Sequence, residues 1–527
     1  MLRIIIAIIT LTAACTTKGA AQIVSVGGHY GMLDNTTRRV LVSTTQPDAN
    51  MPSVYNHNGN DYDVTTTTLP LILLQHEQIV STEFRHGHLT LIDPNTTADD
   101  TPFACPVELR YRGATALAYD KKNYAVKLLD PNDPSPTPQP LDAPLLGMRE
   151  DNSWILDAMA SDCSRLRNRV STDIWLDFAR RPQYADNDAP DMVNGTHGRF
   201  VEVFIADRYW GIYCLTEKVD RKQLKLKKYK DGQPRGILYK SYAYNNLRQF
   251  VDGDEAPDNT SFTWNNFECS YPDVRKGEPI TWQPLFDAIT FFAQEMPSFD
   301  LRDNLHRYAD LPLWIDYNLY IDLIHGDDNS CKNMFVYKRD LNDPNEPFSV
   351  CPWDLDATWG RSFNQQELAP TSECQVVNAV NIHLWLSARD QGQSSIDRWA
   401  QLRKSDFSTD NIWPYFKRYF DLFRTSGAAA RETERWNGIN GVHLDFDAEE
   451  KYIQQWIPQR LAFLDNDENY KYTDGISTPT IDANTNTNHI YTLDGRIAAS
   501  CPDGTTPATL HLPAGIYVVN HRKYIAR

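Results

Sequence analysis

Residues 325–360 read HGDDNSCKNMFVYKRDLNDPNEPFSVCPWDLDATWG. Within them MFVYK (Met334–Lys338) and FSVC (Phe348–Cys351) are short, aromatic and β-branched, and the Asn, Asp and Pro residues between them supply turn chemistry. The pattern predicts a β-hairpin folded about Asn342 or Asp343, with Asn333 opposite Pro352. One end of that hairpin then carries Asp327 and Asp328 from the first strand and Asp354 and Asp356 from the second. Like charges brought within a few ångströms raise one another's pKa, so the arrangement calls for a cation among the acids.

A hard metal ion meets that need. Mg²⁺ takes one or two carboxylates plus substrate phosphate oxygens, and an Asn carboxamide completes the shell without adding charge. The acid and amide of Asp328-Asn-Ser-Cys-Lys-Asn333 stand five residues apart, the spacing of the D-x-x-x-x-N catalytic loop of protein kinases, where the Asp accepts the substrate hydroxyl proton and the Asn holds Mg²⁺. Asp354 follows the second strand, the place of the metal-binding Asp of D-F-G. Taken alone, an Asp–Asn pair is ordinarily turn chemistry; the second acid cluster across the hairpin shifts the balance toward a site.

The chain has 527 residues, enough for two to four domains by length alone. Its formal charge of −17, from 52 basic and 69 acidic residues, argues against nucleic acid as a main partner, since phosphate-backbone binding needs clustered Lys and Arg. Arg3 precedes the apolar run Ile4–Ala14, too short to span a bilayer and suited to the core of a signal peptide. Thr12-Ala-Ala-Cys15 resembles a lipoprotein cleavage box, with lipid attached at Cys15, whereas Gly19-Ala-Ala21 offers an ordinary cleavage site. The first reading ends the leader before Cys15 and the second at Ala21; residues 1–21 are taken as the signal peptide, with the lipoprotein signal as the alternative within it. The other eight cysteines, Cys105 to Cys501, contain no C-x-x-C pair, which excludes a zinc ribbon and leaves disulfide pairing unassigned.

Residues 22–65 alternate short β-type runs with Asn- and Gly-rich turns and read as a small β-rich region. A main domain over 66–472 opens with LPLILL, LTLIDP and PVELRYRG, then a loop from Arg112-Gly113 into the strand NYAVKLLD. Leu166, Val170, Ile174, Trp175 and Phe178 fall on one helical face. A hairpin turning at Asp207-Arg208 follows, and 222–280 shows no period and reads as irregular. Asp310-Leu-Pro312 starts a helix with buried stripe Leu313, Tyr317, Tyr320, Ile321 and Ile324, ending at Gly326. Helical patterns over 396–402, 410–424, 428–436 and 448–464 make a helical lobe. A polar linker (473–489) and a β-type tail (490–527) close the chain.

RGATALAYDKKNYAVKL (Arg112–Leu128), WILDAMASDCSRLRNRV (Trp154–Val170), VEVFIADRYWGIYCLTEKVD (Val201–Asp220), GDDNSCKN (Gly326–Asn333), PWDLDATWG (Pro352–Gly360) and RWAQLRKSDFS (Arg398–Ser408) occur in that order. Together they resemble the spore-coat-protein-H (CotH) kinase family, over roughly Leu69–Asp465. The resemblance implies an α+β, atypical protein-kinase-like two-lobed fold with a helical C-terminal lobe, flanked here by small β modules. It implies ATP and Mg²⁺ as cofactors, Asp328 as catalytic base, and Asn333 and Asp354 as metal ligands, with Asp356 beside them. The segment from Arg112 to Lys127 is expected over the nucleotide. Glu217 is a further nucleotide-contact candidate, although a glutamate ending a hairpin is as often merely solvated. No G-x-G-x-x-G is present, so the Arg112-Gly113 loop and its lysines would replace a glycine-rich phosphate cradle. Lys122, in the family's KK pair, and Lys127, in a YAVK strand like the kinase V-A-I-K, compete for the phosphate role. Asp162, Arg167 and Asn168 read as structural pairing or capping residues. YTLDGR and LPAGIYVVN look like the carboxy-terminal sorting or anchoring modules of exported Bacteroidetes proteins.

The reading is therefore an exported Mg²⁺- and ATP-dependent kinase acting on Ser or Thr hydroxyls of a surface, envelope or secreted protein, itself secreted or held at the outer membrane or cell surface. Two alternatives stand beside it. Asp354-Leu-Asp356 could be the D-x-D of a nucleotide-sugar transferase or a metal phosphoesterase, and the fold could persist as a catalytically weak pseudokinase or surface-binding lipoprotein.

Overall fold

Along Asn123–Leu128 the side chains of Tyr124, Val126 and Leu128 are buried and those between them are not, the period of two of a strand with one face in a core. Seven strands of this kind close on one another. Their order around the barrel is Ser153–Asp157, Arg208–Thr216, Gly198–Ile205, Leu71–His76, Arg85–Ile92, Phe103–Arg112 and Asn123–Leu128, which pairs again with Ser153–Asp157. Leu74, Leu89, Val107, Tyr124, Trp154 and Tyr213 fill the interior. Alternation announces the strands; closure depends on which edges meet, and short strands do not encode that locally. The hairpin turn falls one residue earlier than its sequence suggests, with Ile205 opposite Arg208, because the register shifts between Val203 and Phe204.

The computed structural model describes residues 22–45, 51–243, 257–292, 304–329, 332–373 and 389–466, and in the tail the strands Thr487–Thr492, Ile497–Pro502, Gly515–Val519 and Arg522–Ala526. The leader readings, Cys15 and residues 473–486 of the linker lie outside them. The chain divides into two units, 1–471 and 472–527. In the second, the tail strands form one four-stranded antiparallel sheet.

In the first unit, the N-terminal β-rich region is a five-stranded sheet over Ile23–Thr67. It is not free-standing, since Met32 and Leu41 share a core with Leu71, Leu73, Phe204 and Tyr209 of the barrel. On the barrel's other side Phe200, Ile212 and Cys214 join Trp175, Tyr320, Phe416 and Phe423 in the largest core. The architecture is α+β, with several sheets and a helical C-terminal region: Arg389–Arg403, Thr409–Thr425, Ala428–Trp436 and Phe446–Asn466. Helix Leu311–Ile324 is buried on every side from Leu313 onward, so the expected stripe is only part of its contact surface. A further correction concerns 222–280. Ile237–Ser241 and Phe267–Tyr271 are strands, and with Thr263–Trp264 they extend the predicted hairpin into a five-stranded sheet. Each is too short to show a period, and a long polar stretch separates them. Among the described residues, Cys105, Cys163, Cys214, Cys269 and Cys351 are buried free thiols.

A fully buried carboxylate on helix Ala428–Trp436 ties it to the barrel. Glu432 accepts from Lys121 Nζ at 2.6 Å, from Arg165 Nε at 2.8 Å and from the Ile212 amide at 2.7 Å. Gly211, at φ 111°, makes room for it: a Cβ there would stand 2.2 Å from Glu432 Oε2. Removing one partner from a buried charge group strands the rest, at about 3–5 kcal/mol. Glu432→Gln should therefore destabilise the first unit by about 3 kcal/mol in urea unfolding followed by tryptophan fluorescence; a loss under about 1 kcal/mol would show that the clamp is dispensable.

Candidate active site

Helix Leu311–Ile324 ends where His325 takes a left-handed conformation (φ 54°, ψ 53°), one residue before the expected Gly326. His325 and Gly326 donate back to Asp322 O and Ile321 O, closing the helix. One 3₁₀ turn, Asp327–Asn329, then delivers the chain to Asn333 and strand Met334–Lys338. The hairpin register pairs Met334 with Pro352, so Asn333 faces Trp353, one residue beyond the sequence estimate. Asn333 and Asp354 both adopt positive φ (56° and 59°), a conformation that Asn and Asp tolerate better than most residues.

The two ends of the hairpin are stitched together by Asn329. Its Nδ2 donates to Trp353 O at 2.8 Å and to Asn333 O at 3.3 Å, while its own carbonyl accepts from Tyr317 of the helix. Asp328 is buried, with Oδ2 accepting from Asn333 Nδ2 at 2.7 Å and Oδ1 2.9 Å from Lys332 Nζ. Committing its NH₂ to Asp328 leaves the Asn333 amide oxygen as the atom able to face a cation. Asp354 stays open to solvent. Desolvation, and then the charge of Asp157 and Asp328, push its carboxyl above the ordinary range, against the pull of Lys240 and Arg112. Asp356 accepts from Ser161 Oγ at 2.9 Å and is pushed well above its usual value by burial, then by Asp354, Asp157 and Asp162.

Arg112 arrives from the barrel. It lies 5.5 Å over the Trp353 ring, and its guanidinium is pushed down by burial and pulled back up by Asp354 and Asp157. Gly113 (φ 111°) is needed here, since a Cβ would meet Ala116 at 2.9 Å. Two participants escaped the sequence reading, Asp157 at the end of a barrel strand and Lys240 on a strand that was not foreseen. Asn168 Nδ2 donates to Asp157 at 2.8 Å and its Oδ1 accepts from the Leu355 amide at 3.0 Å, joining barrel and acid cluster through one side chain. The D-x-x-x-x-R-N spacing of Asp162 to Asn168 carried a usable signal. Asp162 accepts from the Leu166 and Arg167 amides at the start of helix Arg167–Phe178 and pairs with Arg167 at 2.7 Å.

The structure thus gathers Asp328, Asn333, Asp354, Asp356 and Arg112, and places the other three candidates elsewhere. Lys122 Nζ donates to Leu117 O within its own loop. Lys127 pairs with Glu108 at 3.0 Å and sits 3.8 Å over Phe84, four residues (about 13 Å of strand) beyond Asn123, which is the partner of Arg112. Among the described residues no three His, Cys, Asp or Glu side chains converge as a metal site, so a cation here would rest on Asp354, the Asn333 oxygen and oxygens of a ligand, a donor set that suits Mg²⁺.

Glu217 lines a separate cavity of about 710 Å³ with Arg149, His197, Arg199 and Arg221. Both its oxygens are occupied: Oε1 by the Arg149 amide, Oε2 by the His197 amide and ring and by Gln223 Nε2. Burial pushes its carboxyl up, but the bonds from His197 and Arg149 prevail and hold it down to about 2. A folded pKa below the unfolded value of 4.5 adds stability that is full above pH 4.5 and lost as pH falls toward 2. Glu217→Gln should accordingly lose about 3 kcal/mol at pH 7, at 1.36 kcal/mol per unit, and the deficit should shrink on titration from pH 4.5 downward. An equal deficit at pH 7 and pH 3 would refute the assignment.

Known proteins match much of this chain. The family model described as CotH kinase protein covers residues 109–464, from strand Phe103–Arg112 to the end of the last helix. The inner spore coat protein H of Bacillus subtilis (strain 168) is 23% identical over 263 residues, 50% of this chain. The match spans 61% of that relative's length. With well over half of its residues inside the family model, this chain belongs to the CotH kinase protein family.

Proposed function

We propose that the chain is an exported, Mg²⁺-dependent protein kinase that transfers the γ-phosphoryl group of ATP to Ser or Thr hydroxyls of a surface, envelope or secreted protein. The observation that carries the reading is the pairing, across one hairpin end, of a hydrogen-bonded Asp328–Asn333 couple with a solvent-open Asp354. Barrel and hairpin sheet meet there, which supports a two-lobed, kinase-like reading of the fold. The apolar run Ile4–Ala14 supports export.

When bound, MgATP would supply the phosphoryl group and the metal charge that offsets the growing negative charge of transfer. This chain's own residues do the rest. Asp328, fixed by Asn333 and Lys332, accepts the proton of the attacking hydroxyl. Asn333 Oδ1 and Asp354 would hold the cation, whose charge would relieve the repulsion among Asp157, Asp328 and Asp354. Asn329 keeps both ends of the hairpin at one spacing, so base and ligand move as a unit.

Asp354→Ala should keep the metal-free melting temperature or raise it, since one of several mutually repelling acids is gone. It should also abolish the Mg²⁺-dependent thermal shift given by ATP; an ATP shift equal to the parent's would sink the metal assignment. Asp328→Asn should retain that shift and lose phosphoryl transfer by ~10²-fold or more, the usual worth of general-base catalysis. Transfer near the parent rate would move the base elsewhere, to Asp327 first, and absence of transfer in the parent would favour the pseudokinase reading.

A further inference from the structure

The phosphates of a nucleotide need a cation from the protein, and the three lysines of the Arg112 loop and the strand beyond it are already engaged. Lys121 is held by Glu432, Lys122 by Leu117 O and Lys127 by Glu108. Lys240 is placed differently. It lies on strand Ile237–Ser241, whose neighbour is Met334–Lys338, in a register that pairs Lys240 with Phe335 and Ser241 with Met334. The amide of Asn333 donates to Ser241 O at 3.0 Å, fixing this strand to the Asp328–Asn333 loop. Paired residues share a face of the sheet. Lys240 therefore stands on the same face as Phe335, which packs edge-on against Trp353 at 5.7 Å, and Trp353 in turn carries the Arg112 guanidinium.

Two cations thus approach Asp354, Lys240 from the hairpin sheet and Arg112 from the barrel. Lys240 forms no ion pair or side-chain hydrogen bond with the described residues. The charged groups that act on it are Asp354 and Glu268, which hold its ammonium up, and Arg112 and Lys332, which oppose it along with desolvation. A partly desolvated ammonium without a direct partner costs free energy unless an anion arrives to meet it. Among the described residues it shares this with Arg112, so the two cations beside the acid cluster both keep their side-chain hydrogen-bonding capacity uncommitted.

We propose that Lys240, with Arg112 opposite, grips the polyphosphate of the bound nucleotide, taking the place that the sequence assigned to Lys122 or Lys127. On binding, the two cations turn from Asp354 to phosphate oxygens and leave that carboxylate to the divalent cation. The inference rests on the nucleotide-binding reading above, and the test separates the two.

Calorimetric titration of the intact protein with ATP, ADP and adenosine at saturating Mg²⁺ reads the polyphosphate contribution without recourse to activity. The parent should bind ATP more tightly than ADP and both more tightly than adenosine. Lys240→Met should weaken ATP at least tenfold and leave adenosine within about twofold, while Lys240→Arg, which keeps the charge, should recover most of the loss. A metal-free melting temperature within a few degrees of the parent's certifies that the Met variant is folded; if it is not, the Arg variant carries the test, and loss of ATP binding there with adenosine intact would overturn the proposal. So would ATP binding by Lys240→Met at parental strength, or a tenfold loss of ATP in Lys122→Met or Lys127→Met with Lys240→Met unaffected. A parent that binds neither ATP nor ADP would bring down the nucleotide-binding reading, and the proposal with it.

Discussion

Buried guanidinium groups hold this molecule together, and the acid cluster is where it is because of them. Arg165 spends Nη1 on three carbonyls, Met159, Ala160 and Asp162, and Nε on Glu432. Arg167 reaches Asp162, Glu449 and the carbonyl of Thr358. Arg460, on the last helix, closes on Asp322 O, Pro370 O and Ser372 O. All three are buried. Such groups are expensive to desolvate and stabilise little in net terms, but a planar fork satisfied on every side tolerates no second arrangement. Among them they fix the segment before helix Arg167–Phe178, the DLDATWG segment and the C-terminal helices in one mutual geometry.

That geometry sets the electrostatics of the site. Once Arg167 holds Thr358 and Asn168 holds both Asp157 and the Leu355 amide, Asp354 and Asp356 have no freedom to retreat from Asp157 or from each other. Desolvation, and then the neighbouring acids that the scaffold will not let them leave, raise both carboxyls above the usual range. A flexible surface would have relaxed the same residues apart and left a solvated patch. Rigid arginine forks on one side and mutual repulsion on the other hold the acids in a cluster that, on the proposed reading, a cation would complete.

The hairpin, its acids and most strands and helices were legible because their signals are local: period two, period 3.6, turn residues, and an acid–amide spacing. What the sequence hid was relational. Barrel closure depends on Ser153–Asp157 finding two partners at once. Strand Ile237–Ser241 is five residues long and acquires meaning only beside Met334–Lys338, so Lys240 could not be ranked against Lys122 and Lys127. The YAVK pattern pointed to Lys127 correctly as a strand residue. It could not show that Glu108 on the adjacent strand would claim the charge. Glu217 shows the reverse limitation: its burial among His197, Arg149 and Gln223 makes a loop organiser of a residue that sequence offers equally to solvent or ligand.

Backbone strain completes the account of why the chemistry collects here. Met159, Arg165, His325, Asn333, Asp354 and Trp359 all carry φ between 49° and 59° without being glycine. Each such residue costs of order 1 kcal/mol and persists only where its surroundings over-determine it. Arg165 is pinned by Glu432. His325 is pinned by the helix it ends and by Ser372, and Trp359 by its amide on Ile324 O. Asn333 and Asp354 are different, because what holds them is the Asn329 carboxamide and the hairpin itself, with one of the two side chains still open to solvent. The left-handed turn at each strand end sends the chain sharply out of the strand, and Asn and Asp are the residues that accept such a turn and also carry a ligating oxygen. Conformational tolerance and coordination chemistry select the same two residue types at these positions, and so the spacing that suggested a site in the sequence is also the spacing that the backbone requires.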